Sequence, residues 1–93
     1  MISIEDCIAF SGLTRDEVDA VGEHEHLPEA AAAALASYLL HRSGGAKQIR
    51  GMLVDDVREA LEDGRLQHAS ELFAALRHFL ESHPEAKGGR RSD

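Results

Sequence analysis

The amino-acid sequence predicts an all-α protein, a compact bundle of about five helices that ends in a long antiparallel helical hairpin. Three observations lead there. Apolar residues recur at three- and four-residue spacing along most of the chain. Capping patterns of Ser or Thr followed by an acid, together with Gly and Pro, punctuate those stretches. No segment alternates apolar and polar residues as a half-buried strand would.

The first helix is expected from about Ser3 to Phe10. Ile4 and Ile8, with Cys7 one step off, give it an inner face, Ser3 is its N-cap and Asp6 completes a capping box. Ser11-Gly12 ends it. Thr14 and Glu17 form a second capping box, and Val18 and Val21 mark the inner face of a helix running to about Glu23–Glu25. Pro28 starts the third helix: its fixed φ suits a first turn, and it pushes Leu27 out of helical geometry, so the second and third helices are separate.

The third helix, Pro28 to Arg42, holds six alanines between positions 30 and 36 and an apolar stripe at Ala31, Leu35, Tyr38 and Leu39. Alanine has the best intrinsic helix propensity and lets a neighbouring backbone come near, so this helix is expected to be central or at an interface. Ala31, Ala34, Leu35 and Tyr38 are its candidate interface residues. After Ser43-Gly44-Gly45, the residues Ile49, Met52, Leu53, Val57, Ala60 and Leu61 keep helical spacing up to Asp63, and Gly64 suits the position past a helix end. Leu66, Ala69, Leu72, Phe73, Leu76, Phe79 and Leu80 form the strongest stripe in the chain, ended by His83-Pro84. A link of about three residues makes these last two helices an antiparallel hairpin.

Ninety-three residues suffice for one domain, placed at 1–86, with a flexible tail at 87–93. Apolar residues make up 43% and charged ones 29%, the balance of a soluble globular chain, but aromatics are only 4%. The core must therefore be built from Leu, Ile, Val and Ala, and self-association would help so lean a core. The formal charge is −7, and residues 1–43 carry eight acids against Arg15 and Arg42. A surface of that sign repels phosphate backbones, which makes nucleic acid a poor partner. No signal-length or membrane-length apolar run is present, and the single Cys7, set among apolar residues, reads as a buried small hydrophobe. These features suit a cytoplasmic protein.

The first two helices, joined through Ser11-Gly12-Leu13-Thr14, resemble the opening of mercury-resistance-regulator-type winged helices. That resemblance implies a helix-turn-helix over about a quarter of the chain. It departs where base reading would occur: the presumed recognition helix shows Asp16, Glu17, Asp19 and Glu23 against Arg15, and an alanine helix replaces the wing. The whole chain is also similar to a group of short all-helical bacterial proteins in its Glu5-Asp6-Cys7 start, its Gly12-Leu13-Thr14 turn, its Glu23-to-Pro28 segment and its Ala30–Ala34 run. This second resemblance implies a small helical domain and carries no activity with it.

The chemically densest segment is Glu23-His24-Glu25-His26-Leu27-Pro28-Glu29. Two histidines two residues apart converge on one ion only from extended backbone, since on a helix they diverge by about 200°. If the second helix ends at Glu23, then His24 and His26, with Glu29 or His41, are candidate ligands for zinc or another divalent ion. If the helix persists through His26, the pair cannot chelate, and the histidines act at the helix end by answering its carbonyls. His78 lies opposite the Leu72–Leu76–Phe79 stripe and is expected in solvent, and His68 sits at the stripe's border. Asp55-Asp56 and Glu62-Asp63, with Arg58 and Arg65 nearby, are expected on a solvated, salt-bridged face. Ser43-Gly44-Gly45-Ala46-Lys47 lacks the strand and the remaining glycine of a phosphate-binding loop and reads as a turn. The leading reading is a non-enzymatic helical module for protein association, including self-association as a homodimer through the Ala-rich third helix or the outer side of the final hairpin. The rival is a metal-dependent protein, enzyme or sensor, and a helix-turn-helix regulator is third.

Overall fold

The structure, a computed structural model, describes residues 3–87. Five α-helices follow one another: α1 (Ile4–Ser11), α2 (Arg15–Glu25), α3 (Glu29–Leu40), α4 (Gly45–Glu62) and α5 (Leu66–Ser82), with a closing 3₁₀ turn at Pro84–Ala86. There is no strand among the described residues, and the all-α class and the terminal helical hairpin are as the sequence predicts. Of the segment expected as a tail, the part after Lys87 lies outside the described residues.

Both capping boxes form. The Ser3 hydroxyl accepts from the Asp6 amide at 3.0 Å, and the Thr14 hydroxyl accepts from the Glu17 amide at 3.2 Å while Glu17 Oε1 accepts from the Thr14 amide at 2.9 Å. Each box answers helix-end amides that have no partner within the helix. Between them, Gly12 takes φ 81° and Ser11 Oγ donates to the Ile8 carbonyl at 2.6 Å and accepts from the Leu13 amide at 3.1 Å. The chain reverses tightly there and buries Leu13.

α2 packs against α3, α4 and α5, α3 packs against α1, α2 and α4, and the α4–α5 pair is the most extensive contact in the fold. The largest fully buried apolar side chains are Phe79, Leu39, Ile49, Leu53, Val18 and Val21, so α2, α3, α4 and α5 all contribute to one core. The alanine helix α3 thus packs against three others, and so does α2, whose Val18, Ala20, Val21 and Gly22 are buried. For a helix-turn-helix reading, the presumed recognition helix, α2, packs against three others.

The phase of α3 differs from expectation. It buries Ala32, Ala33, Ala36 and Leu39, whereas Tyr38 is exposed and Ala31 and Leu35 sit at the border. Alanine explains the difference: a helix that is small and apolar all round offers no stripe from which to read its inner face. Pro28 stands one residue outside the helix, with an extended ψ of 163°, and His41 caps the other end. Its close approach to α4 requires Gly45, where an added Cβ would stand 1.6 Å from the Leu39 carbonyl oxygen. Gly22 plays the same part between α2 and α3, a Cβ there coming to 2.9 Å from the Leu27 oxygen and 3.3 Å from Ala32 Cβ.

Candidate functional site

The second helix persists through Glu25, and His26 caps it in the left-handed region at φ 58°, ψ 46°. Its backbone N–H and that of Leu27 both point to the Gly22 carbonyl, the Leu27 bond at 2.9 Å. This is the six-to-one closure that glycine or asparagine more often provides, and it sends His24 and His26 apart. His24 instead turns toward α4, with Nδ1 at 2.7 Å from Glu25 Oε2 and Nε2 at 3.3 Å from Asp55 Oδ2. Glu29 receives Arg15 at 2.7 Å, and His41 Nδ1 donates to the Ser37 carbonyl at 2.7 Å. Three of the four candidate metal ligands, His24, Glu29 and His41, are thus engaged with separate partners, His26 serves the helix end through its backbone, and no group of three or more His, Cys, Asp or Glu among the described residues is placed to hold a metal ion.

What the fold does bring together is a row of histidine–carboxylate contacts along α2. His68 of α5 donates from Nε2 to Glu23 Oε1 at 2.6 Å, and His78, almost three turns further on, contacts Glu17 Oε2 through Nδ1 at 2.6 Å. His78 is half-exposed, as the sequence suggests, yet its partner Glu17 is only 1% exposed. Glu17 therefore has both oxygens occupied, one by its own helix cap and one by α5. The Glu23 carboxylate holds His68 above the ordinary histidine range, and Glu17 does the same for His78. At His24, burial alone acts downward, but the carboxylates of Glu25, Asp55 and Asp56 outweigh it and the net shift is also upward.

Beside this row, α2 and α4 enclose a groove of about 360 Å³ lined by Glu23, His24, Asp55, Asp56, Glu59 and Glu62, with His26 and Arg58 at it as well. Its centre of interest is Asp56. That residue is 1% exposed, and its Oδ2 is buried with no hydrogen-bond partner among the described residues. Burial pushes its carboxyl up to about 7; the charges of Glu23, Glu59 and Asp55 act in the same direction and His24 opposes them. A second groove, about 550 Å³, shares Glu23, His26 and Glu59 and extends to Asp19, Glu29 and Arg65. Burial raises the Asp19 carboxyl there as well, as does the hydrogen bond its protonated form donates to the Glu29 carboxylate, against Arg15.

Asp55 and Asp56 are thus unlike neighbours: Asp55 is exposed and paired with His24, whereas Asp56 is in the core. The salt-bridged face expected of the pair does not extend to Asp56. A signal was present, since Asp56 follows Met52 by four and Leu53 by three and precedes Ala60 by four, which places a carboxylate inside the apolar stripe. The His68 and His78 contacts had no such signal, being 45 and 61 residues from their partners in sequence. No protein-family model, curated protein or solved structure matches the chain.

Proposed function

We propose that this chain is a non-enzymatic, cytoplasmic association module that pairs with a second copy of itself through the outer side of the α4–α5 hairpin. One observation carries the reading. Leu61, Leu66 and Phe73 are 54%, 67% and 51% exposed, three large apolar side chains on a single supersecondary unit. Leu66 and Phe73 lie seven residues apart and so share one face of α5, about 200° from the position of His68 and therefore turned away from α2. On α4, Leu61 continues the half-buried Val54 and Val57 at helical spacing. Because the two helices are antiparallel, Leu61 and Leu66 stand at the same end of the hairpin, on either side of the Asp63-Gly64-Arg65 turn.

Two such hairpins placed face to face form a four-helix layer, which is how helical pairs ordinarily bury a shared apolar face. The α3 surface supports pairing less well. Its large exposed side chain, Tyr38, is already covered by the Arg42 guanidinium at 5.4 Å from the ring centre, and the residues beside it are alanines. Sedimentation velocity at micromolar to millimolar concentration tests the proposal. The wild-type chain is expected to sediment as a dimer at the upper end, and Phe73→Glu as a monomer throughout. A wild-type chain that stays monomeric across the range would end the self-association reading.

A further inference from the structure

We propose that the groove between α2 and α4 is a binding site for an organic cation, an ammonium or guanidinium group on a slender alkyl stem, with the Asp56 carboxylate as its buried counter-ion. The acids lining the groove would not suffice by themselves, since exposed carboxylates are ordinarily solvated. Asp56 is different. It sits on the apolar face of α4, is 1% exposed, and leaves Oδ2 without any donor among the described residues. Buried polar atoms in folded proteins almost always have partners, because an unpaired one loses its hydration and gains nothing in return. Asp56 lines the acidic groove, so an incoming donor that reaches its unanswered oxygen gains most there.

The surroundings specify the donor. Glu23 from α2 and Asp55, Glu59 and Glu62 from α4 surround the groove with negative charge, so an anion is excluded. His68 from α5 is engaged with Glu23, and His24 with Glu25 and Asp55, so neither imidazole forms an ion pair with Asp56, although the His24 charge opposes the rise of its carboxyl. Arg58 lines the groove, but it follows Asp56 by two residues, leaves the helix about 200° away, and is not among the arginines that form ion pairs in the described residues. A bare metal ion lacks its shell here, because no three ligating side chains converge among the described residues. An organic cation needs none: its N–H groups can meet carboxylates that are spread along a groove. The volume of about 360 Å³ falls at the lower end of small-ligand sites, which run from about 300 to 1,000 Å³.

A bound cation favours ionised Asp56, whose carboxyl otherwise holds its proton to about pH 7. Binding therefore releases a proton and strengthens as pH rises through about 7. Calorimetric titration of the whole chain with spermidine, and separately with a capped three-arginine peptide, distinguishes a free polyamine from a protein side chain as the source. Magnesium chloride at equal ionic strength serves as the control for diffuse attraction. Saturable binding of either probe at one site per chain is expected, weakened about tenfold or more by Asp56→Asn and unchanged by Glu81→Gln. Saturation by spermidine alone assigns a polyamine, and saturation by the peptide alone assigns a partner's side chain. Equal affinity in Asp56→Asn, equal effect of magnesium, or failure of both probes to saturate would overturn the site. A readout in the unaltered chain stands beside the variants: the carboxyl carbon of Asp56, followed by NMR, must titrate at lower pH once the probe is bound, and an unmoved midpoint overturns the proposal equally.

Discussion

At the scale of single residues, His26 and Asp56 each depart from what their positions would ordinarily hold. His26 takes φ 58°, a conformation that disfavours residues with a Cβ and that glycine adopts without strain. Replacing His26 by Gly is expected to raise the free energy of unfolding by about 1 kcal/mol, measured by urea denaturation. A loss of stability would instead mean that the imidazole does more than end the helix. Asp56 points the other way, toward a cost that the fold carries. Its carboxyl is raised from 3.8 to about 7, so the penalty for ionising it in place is absent below about pH 4, grows through the interval and is complete above about pH 7. Asp56→Asn, which removes the charge and keeps the shape, should therefore stabilise the chain by about 1–3 kcal/mol at pH 8 and give little difference at pH 4. Equal stability of the two proteins at pH 8 would show that the buried carboxylate is compensated.

At the scale of elements, α2 is held to its neighbours by three histidines: His24 across to Asp55 of α4, and Glu23 and Glu17 received by His68 and His78 of α5. Each of these histidines is raised above its unfolded value of 6.5, so its contribution is complete below that pH and is lost as pH rises through the higher folded value. The groups facing them are Glu25, Asp55 and Asp56 at His24, Glu23, Glu71 and Arg65 at His68, and Glu17 and Glu81 at His78. Asp56 has the same sign, so the two effects add. Unfolding free energy is expected to fall as pH rises above about 6.5, and the fall should be shallower in a His68→Gln, His78→Gln double variant. A flat profile in the wild-type chain would count against the clamp. Of these elements, the boundaries were readable in sequence because caps act locally: Ser3 with Asp6 and Thr14 with Glu17 each close within four residues. The inner face of α3 was not, since its run of alanines carries no phase. The histidine clamps depend on how α5 lies against α2, a relation that periodicity within one helix does not contain.

At the scale of the whole molecule, the thinnest dimension is 19 Å, about two helix diameters, so every helix has one side near solvent. None of the described helices is long and apolar enough to cross a membrane. In so thin a body, much of the core is alanine, and apolar side chains as large as Leu66 and Phe73 are left on the outer side of the hairpin. Covering that face by a second copy would add burial that a two-layer fold cannot supply alone. Association of the native state then couples stability to concentration by mass action. The thermal midpoint is expected to rise by about 5 °C or more over a hundredfold increase in protein concentration, as followed by circular dichroism. In Leu66→Glu and Phe73→Glu the midpoint should not depend on concentration. Because both side chains stand half or more in water in the single chain, these variants should also match the wild type at its lowest concentration. A variant that melts well below that limit would show that the side chain supports the fold itself, and a wild-type midpoint independent of concentration would leave the hairpin face for a different protein.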